Sequence, residues 1–407
     1  MNVFDVLKER GFIDQVTHEA EVRELLGGKG VVFYIGYDPT ASGLTVGGLV
    51  TILAMVHLQR AGHVPIALMG GGTGMIGDPT DKMETRKMMS VDEIERNVAG
   101  IRGQMERFIE FGEDKGTLAN NADWLMRLMY VPLLREVCVH FSVNRMLTAD
   151  AFRTRFERGA GLTLFELNYM VMQAYDFLEL NRRYGCVMQM GGRDQWSNII
   201  AGMELIRRVE KKDVYGMTFA LLTRADGEKM GKSLDGAIWL DENKTSPYEF
   251  YQYFRNTDDR DVEKYMKIFT FLPIDNIKDQ IADNINNAKQ TLAYEATTIV
   301  HGKAAADEAL AAAQALFGGG GDDAAMPVTP VSAAELAGMD LCALLVHTAL
   351  APTRSEARRL IQQGGISLAN TKITDPARSI LMEDFANGEL VLKKGKKVFH
   401  KVKIDLG

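Results

Sequence analysis

The sequence predicts an α/β fold in which helices flank a parallel β-sheet. The first observation is the run VVFYI at residues 31–35, whose β-branched and aromatic side chains are typical of a strand buried on both faces. A short turn leads to small residues at 45–48, which begin a helical stretch over 49–58. The same order of strand, glycines and helix recurs at residues 186–209. The free N–H groups at such a helix start favour an anion, although many strand-to-helix turns bind nothing.

Length and composition are those of an ordinary soluble protein. With 407 residues the chain is long enough for two or three domains, and 46% hydrophobic and 25% charged residues suffice for folded cores. The 3 cysteines form no CxxC pair, which argues against a disulfide scaffold or a structural zinc site and fits a reducing compartment. The charged N-terminus is unlike a signal peptide, and no apolar run is long enough to span a bilayer. We therefore expect a cytoplasmic protein without membrane contact.

Weaker patterns place the remaining elements of the first half. Residues 1–29 predict a short amphipathic helix and a charged loop, and residues 64–68 predict a second strand that forms a right-handed parallel unit with the first. Residues 90–111 have helical spacing, and residues 217–222 predict a further strand. The densely apolar residues 124–147 fit either core helices or a subunit interface, and burial in the core is the favoured interpretation.

Residues 164–182 predict a helix that carries a row of polar side chains. Tyr169, Gln173 and Asp176 are spaced i, i+4 and i+7, so they share one face. The rest of this stretch is rich in Leu, Met, Val and Phe. Polar groups in such apolar company must pair with each other or with a ligand.

The second half predicts a helical region, a linker and a small tail domain. Residues 245–317 have a helical pattern, and the glycines and prolines of residues 318–330 predict a flexible linker. In the tail, Thr353 and Glu356 predict the start of a helix. Residues 341–407 hold 11 Lys and Arg against 6 Asp and Glu, net +5, whereas the chain before them holds 36 against 48, net −12. A basic tail on an otherwise acidic chain suggests that the tail binds a polyanion. The alternative is that the tail only has a solvated, lysine-rich surface.

Four short motifs together identify a family. They are DPT at residues 38–40, GDP at 77–79, RDQW at 193–196 and KMGKS at 229–233. In this order and spacing the sequence resembles the class I aminoacyl-tRNA synthetases and, within them, the bacterial tyrosyl-tRNA synthetases. The resemblance covers essentially the whole chain.

The resemblance implies both a domain plan and a reaction. The domains would be a Rossmann-type parallel-sheet catalytic domain at 1–244, an α-helical domain at 245–317, the linker at 318–330 and a small α+β, S4-like RNA-binding domain at 331–407. The implied reaction is ATP-dependent activation of L-tyrosine to tyrosyl-adenylate, followed by transfer to tRNA(Tyr). ATP would enter as a substrate with Mg²⁺, with no tightly bound cofactor and no protein metal site, and the enzyme would be a homodimer.

The resemblance also assigns site residues, position by position. Groups around the tyrosine substrate would be Tyr34, Asp78, Tyr169, Gln173 and Asp176. Groups that line ATP and the adenylate would be Gly36, Asp38, Gly47, Thr51, Gly191, Gly192, Asp194 and Gln195. Catalytic groups near the departing pyrophosphate would be Thr40, Lys82, Arg86, Lys229, Lys232 and Ser233. Contacts to tRNA would come from Arg354, Arg358, Arg359, Lys393, Lys394, Lys396 and Lys397.

The cations in this set suit the chemistry. Attack of the amino-acid carboxylate on the α-phosphorus builds charge on the β- and γ-phosphate oxygens. Mg²⁺ and lysines offset that charge, and no covalent protein nucleophile is required.

The chain departs from the family at its other signature. Class I enzymes carry a HIGH-type motif where this chain has Thr45, Val46, Gly47 and Gly48, so both histidine positions are replaced. Gly47 still allows adenine to approach the backbone, but Gly48 offers no side chain, and Thr45 is shorter than histidine. We expect slow activation, or compensation by another group.

Two other functions compete with an active tyrosine enzyme. The first is an RNA-binding paralogue that kept the fold and lost activation, which the changes at Thr45 and Gly48 support. The second is a related enzyme for tryptophan, which the pair Tyr34 and Asp176 opposes. The retained acidic, amide and lysine positions favour the tyrosine ligase.

Overall fold

The computed structural model describes residues 2–78, 89–149, 152–153, 162–233, 236–317, 327–336, 338–368, 371–385, 388–395 and 398–405. Its contacts divide the chain into two compact units, Met1–Asp307 and Glu308–Gly407.

The first unit is built on a six-stranded sheet. Its strands are β1 Ile13–Val16, β2 Val32–Tyr37, β3 Val64–Met69, β4 Thr117–Asn120, β5 Met188–Gly192 and β6 Tyr215–Phe219, in the spatial order β1-β6-β5-β2-β3-β4. All neighbouring pairs are parallel except β1, which runs antiparallel along the edge of β6. A separate two-stranded sheet pairs β7 Lys232–Ser233 with β8 Gly236–Ala237. The predicted α/β class with a parallel sheet is therefore confirmed.

The central strands form because their residues are apolar on both faces. Most of β2 and all but the first residue of β3 are buried, as expected for strands covered by helices on both sides. The strands predicted at 31–35, 64–68 and 186–190 match β2, β3 and β5 to within two residues, and β6 begins two residues before the predicted 217. The prediction of a helix and loop for 1–29 missed β1, and β4 was not predicted.

Helices cover the sheet and continue beyond it. Those of the sheet region are α1 Val3–Glu9, α2 Glu19–Leu25, α3 Val46–Arg60, α4 Val91–Met105, α5 Ala122–Leu125, α6 Tyr130–Glu136, α7 Val143–Met146, α8 Leu164–Tyr184 and α9 Trp196–Val209. Those of the predicted helical region are α10 Pro247–Arg255, α11 Val262–Phe269, α12 Ile274–Asp283, α13 Ile285–His301 and α14 Lys303–Phe317. No helix among the described residues is long and apolar enough to cross a membrane.

Local signals fix the ends of α8, the helix that carries the polar row. Thr163 and Glu166 form a reciprocal capping box at its start. Gly185 ends the helix in the left-handed conformation, with φ of 64°. The predicted helix over 164–182 is thus confirmed.

The apolar segment 124–147 differs from its favoured prediction. Trp124, Val137 and Met146 are buried, but seven other large apolar side chains of the segment are exposed. The exposed set is Met126, Met129, Tyr130, Val131, Leu134, Val139 and Val143. Burial in the core of one chain is therefore wrong for these residues, and the alternative of a subunit interface stays open.

The second unit has its own sheet and core. Its strands are β9 Val328–Ser332, β10 Ile366–Leu368, β11 Thr371–Ile373, β12 Glu389–Lys394 and β13 Val398–Asp405, in the order β11-β10-β12-β13-β9, and its helices are α15 Ala333–Leu336, α16 Leu341–His347 and α17 Arg354–Gln362. Thr353 caps α17 as predicted, since its side chain accepts from the Glu356 N–H. Residues 328–330, predicted as linker, instead begin β9, while residues 318–326 lie outside the described residues.

Candidate active site

The strand order places one crevice at the carboxyl ends of the parallel strands. From β2 the chain proceeds to β3 and β4 on one side, and later to β5 and β6 on the other. The order therefore reverses between β2 and β5, and ligands of open α/β sheets bind outside the carboxyl ends at such a point.

Tyr34 is a buried residue with a polar hydroxyl at this crevice. It projects from β2, is 1% exposed, and packs its ring 5.4 Å from the ring of Phe177. Its hydroxyl has no hydrogen-bond partner among the described residues. Burial raises the pKa of Tyr34 well above its usual range, and the charge of Asp176 raises it further. The hydroxyl therefore stays protonated and can bond to a bound molecule.

Asp176, from α8, faces the same space and is 2% exposed. Trp124 Nε1 donates to its Oδ1 at 2.7 Å, and Asn121 Nδ2 donates to its Oδ2 at 2.9 Å. Burial raises the pKa of Asp176 to about 8, although both hydrogen bonds act to lower it. A hydroxyl that donates to this carboxylate would favour its ionised form.

A chain of hydrogen bonds extends from Asp176 towards the end of β2. Asn121 Nδ2 also donates to Thr73 Oγ1 at 3.0 Å, and Thr73 Oγ1 donates to Asp38 Oδ1 at 2.9 Å. The Tyr169 hydroxyl donates to the other Asp38 oxygen at 2.8 Å. Side chains from α8 and from the ends of β2, β3 and β4 are thereby fixed relative to one another.

A second network lies at the end of β5. Gln195 Nε2 donates to Asp78 Oδ2 and to Asp194 Oδ2, both at 2.7 Å. Asn198 Nδ2 donates to Gln173 Oε1 at 3.0 Å and to Gln195 Oε1 at 3.2 Å. These carboxylate and amide oxygens form an acceptor-rich wall, which suits a cation.

Several residues of these two networks belong to the set that the resemblance assigns, and others do not. The structure places Asp78, Gln173 and Gln195 in one hydrogen-bonded network and Asp38 in the other, with Tyr169. It adds Thr73, Asn121, Trp124 and Asn198. Asn121 and Thr73 could have been found as polar residues that follow a strand at the same edge of the sheet, whereas no sequence signal distinguishes Trp124.

The glycines at the strand ends serve different purposes. A Cβ at Gly36 would meet nothing within 4 Å, so the end of β2 is open to a ligand. A Cβ at Gly191 would lie 3.2 Å from Gln195 Cβ, and one at Gly192 would lie 2.6 Å from Asp194 Oδ1. These two glycines therefore allow the β5 network to pack closely against the strand.

The start of α3 and the KMGKS segment are neighbours. Val46 N donates to Ile238 O at 2.9 Å, and Ile238 N donates to Gly231 O at 2.9 Å. A Cβ on Gly231 would lie 3.2 Å from Gly47 N. The sequence-predicted adenylate position Gly47 is exposed and lies directly beside the loop.

Other predicted positions have local partners or lie outside the described residues. Thr51 Oγ1 donates to Gly48 O at 2.9 Å, and exposed Thr40 donates its N–H to Asp38 O at 2.8 Å. Lys82, Arg86, Lys396 and Lys397, and the side chains of Lys232 and Ser233, lie outside the described residues.

In the second unit, the predicted tRNA-binding arginines are exposed on α17. Arg354 donates to Asp340, and Arg359 pairs with Glu356 at 2.7 Å. Lys393 and Lys394 lie at the end of β12.

Comparison with known proteins decides the family. A family model described as tRNA synthetases class I (W and Y) matches residues 28–318. The chain belongs to this class I tRNA synthetase family. A second model, the SYY-like C-terminal domain of tyrosine–tRNA ligases, matches residues 323–402.

Individual relatives agree with this class I assignment. The chain is 54% identical to the tyrosine–tRNA ligase of Clostridium kluyveri over 404 residues, covering 98% of this chain and 99% of that protein. It is 53% identical to the tyrosine–tRNA ligase of Acetivibrio thermocellus over 407 residues, covering 99% of each. The solved structure of a C-terminally truncated mitochondrial tyrosyl-tRNA synthetase from Aspergillus nidulans matches with a TM-score of 0.70 and 29% identity, over 78% of this chain and 94% of that one. The resemblance stated from the motifs is confirmed.

The start of α3 holds Thr45 and Gly48, the two positions where the resemblance implies histidines. Thr45 is the N-cap residue, but its side chain makes no capping hydrogen bond. A Cβ at Gly48 would lie 3.7 Å from Leu44 Cδ2, an ordinary contact distance, so the backbone leaves space for a Cβ there. The backbone around Gly48 therefore does not by itself exclude a residue with a Cβ at this position.

Proposed function

We propose that this chain is a tyrosine–tRNA ligase. It joins L-tyrosine and ATP to give tyrosyl-adenylate and pyrophosphate, and then transfers the tyrosyl group to tRNA(Tyr) with release of AMP. The observation that carries the choice of amino acid is the buried Tyr34 hydroxyl, which has no partner among the described residues and is affected by the charge of Asp176.

A phenol matches this pair because its hydroxyl can donate and accept at once. It would donate to Asp176 and accept from Tyr34. The indole of tryptophan has an N–H donor and no acceptor, so it would leave Tyr34 unpaired. Phenylalanine would satisfy neither group. The tryptophan alternative is therefore disfavoured by the site itself.

The opposite end of the crevice suits the substrate ammonium. Asp78 supplies a carboxylate, Gln173 supplies an amide oxygen, and the Tyr169 oxygen still has lone pairs after its hydrogen is given to Asp38. Gln195 and Asp194 hold this wall in place and lie beside Gly191 and Gly192, where the adenylate would rest.

Activation then requires cations near the triphosphate. ATP arrives with its Mg²⁺ as a substrate complex. Thr40, Lys82, Arg86, Lys229, Lys232 and Ser233 are the proposed groups that offset charge on the leaving pyrophosphate. Gly36, Asp38, Gly47 and Thr51 would line the nucleotide. Because both histidines are absent, we expect a slow chemical step compensated in part by these groups.

The decisive experiment is ATP–pyrophosphate exchange with the purified protein and each amino acid in turn. Exchange that depends on tyrosine, and not on tryptophan or phenylalanine, is the expected result. Exchange that depends on tryptophan would overturn the assignment of the amino acid. Absence of exchange together with retained tRNA binding would favour the non-catalytic RNA-binding paralogue.

The tail domain is proposed to hold tRNA. Its net charge of +5 against −12 in the preceding chain concentrates phosphate-binding groups there. We expect truncation after Phe317, the end of α14, to preserve pyrophosphate exchange and to abolish tRNA charging at moderate salt. Unchanged charging would show that the tail is only a solvated basic surface, and loss of exchange would move the domain boundary.

The exposed apolar segment 126–143 is proposed as the homodimer interface. A surface with this many large apolar side chains is rare on monomers. Sedimentation should show a dimer for the unmodified protein and a monomer for Tyr130→Glu with Val131→Glu. The cytoplasm is the proposed site of action, because tRNA and ATP are available there.

A further inference from the structure

The KMGKS loop emerges from a short hairpin. Thr223 and Lys229 form an antiparallel bridge, and Met230 N donates to Leu222 O at 2.9 Å. The backbone of Lys229 is therefore placed by the segment it pairs with, and anything that holds Thr223 or Met230 also holds the lysine.

Two side chains around α11 hold the first strand of this hairpin. Lys264 Nζ donates to Thr223 O at 2.6 Å. Asp261 is 4% exposed, accepts from Ala225 N at 2.7 Å, and pairs with Lys264 at 2.7 Å. The base of the hairpin is thus fastened to the helical region.

A third attachment lies inside the motif itself. Gly231 N donates to the Tyr253 hydroxyl at 2.9 Å, from the middle of α10. The Gly231 backbone has φ of 91°, and a Cβ there would lie 3.2 Å from Gly47 N. Gly231 is therefore set between the start of α3 and Tyr253, with little freedom to shift while that hydrogen bond lasts.

We propose that Tyr253 is a positioning residue for adenylate formation. Its hydroxyl fixes Gly231 and thereby the neighbouring Lys229 against the start of α3. This inference rests on the proposed function, because it assigns the loop its part in the activation step. Misplacing a charge-stabilising group by a fraction of an ångström slows the chemical step while leaving ground-state binding of tyrosine intact.

Tyr253→Phe tests this with the loss of one oxygen. The ring keeps its edge-on contact with Phe254, whose centroid lies 5.4 Å away, so packing is preserved. Tyr248→Phe is the matched control: Tyr248 lies on the same helix, is likewise partly buried, and its hydroxyl makes no hydrogen bond to the loop among the described residues. In single-turnover measurements we expect the Tyr253 variant to form adenylate about 3- to 10-fold more slowly, as for loss of one neutral hydrogen bond, with an unchanged tyrosine Kd.

Two further readouts separate positioning from general destabilisation. In a Lys229→Ala background the effect of Tyr253→Phe should shrink to less than about 2-fold, because the two changes act through one loop. Trypsin should cleave the unliganded Tyr253 variant within residues 223–233 several-fold faster than the Tyr248 variant. An adenylate rate equal to that of the Tyr248 variant would overturn the inference, and so would an undiminished effect in the Lys229→Ala background.

The outcome remains interpretable whatever happens to the proposed function. A parent chain without tyrosine-dependent exchange would refute the ligase assignment, and the trypsin comparison would then decide whether Tyr253 anchors the loop. A parent chain with exchange, and a Tyr253 variant indistinguishable from its control, would refute the positioning role alone.

Discussion

The change Tyr34→Phe should strengthen the free protein and weaken tyrosine binding by the same amount. The Tyr34 hydroxyl is buried without a partner among the described residues, and an unsatisfied buried donor costs about 1–3 kcal/mol. Removing the oxygen relieves that cost, so the free energy of unfolding without ligand should rise by about 1–3 kcal/mol. Bound tyrosine supplies the missing partner, so the variant should bind it about 5- to 150-fold more weakly. Phenylalanine, which leaves the hydroxyl unpaired in either case, should bind with nearly unchanged affinity.

Tyr37→Phe is the control, because the same substitution on the same strand removes a satisfied hydroxyl. Tyr37 is buried and its hydroxyl lies 3.2 Å from Thr51 Oγ1. Its loss should lower the free energy of unfolding by about 1 kcal/mol and leave the tyrosine-to-phenylalanine affinity ratio alone. Denaturant unfolding without ligand and titration calorimetry with each amino acid measure both quantities. A Tyr34 variant that is less stable than the parent, with tyrosine affinity unchanged, would refute the reasoning.

Three other changes probe separate features. Thr45→His with Gly48→His should speed adenylate formation by about 10²-fold or more at constant tyrosine Kd, because each imidazole adds a donor for the charge that develops on the triphosphate. A Cβ at position 48 would make only ordinary contacts. No gain in rate would mean that other groups already compensate. Burial raises the pKa of Asp176 to about 8 from its ordinary 3.8. As the pH rises, the unfolded chain therefore loses this proton at a lower pH than the folded chain does. The contribution of Asp176 to the free energy of unfolding should decline as the pH rises between these two values. Urea unfolding from pH 5 to pH 8 should show a shallower decline for Asp176→Asn, and equal slopes would contradict the burial argument. Arg10→Met should lower the free energy of unfolding by about 2–4 kcal/mol, because the buried guanidinium donates to three backbone carbonyls at the end of α11. The control Lys8→Met breaks only an exposed ion pair with Glu19, so it should lower the free energy of unfolding by less than about 1 kcal/mol.

The parts of the fold that sequence predicted are those with strong local patterns. The β2 and β5 strands are nearly continuous apolar runs, and glycines follow both on the way to a helix. Tyr169 and Asp176 were placed on one helical face because α8 has a clear period and a capping box at its start. Local sequence determines these features, so no knowledge of tertiary contacts was needed.

The hydrogen-bond partners of Asp176 could not be predicted from local sequence patterns. Asn121 and Trp124 reach it from the end of β4 and from α5, more than 50 residues earlier in the chain. β4 is four residues long, contains Thr117 and Asn120, and has no buried run that would mark it as a strand. Only the position of β4 beside β3 in the sheet brings these donors to the carboxylate.

The prediction that segment 124–147 is buried in the core was wrong for a different reason. Its apolar density is real, but density without a helical or strand period does not say which surface covers the side chains. Within one chain Met129 and Tyr130 are each 70% exposed, which no core assignment allows. The apolar composition predicts that these side chains are covered, either by the core of the same chain or by a second subunit. Composition alone does not distinguish these two alternatives.

The residues at the start of α3 affect how much charge stabilisation the KMGKS loop must supply. With Thr45 and Gly48 in place of histidines, the start of α3 offers no imidazole to the triphosphate. Lys229 belongs to a hairpin that is fastened to α10 and α11 and lies against Gly47 through Gly231. Charge stabilisation that depends on fewer groups depends more steeply on where each of them lies. If Thr45→His with Gly48→His restores part of that stabilisation from α3, removal of the Tyr253 hydroxyl should then cost less than it does in the parent chain.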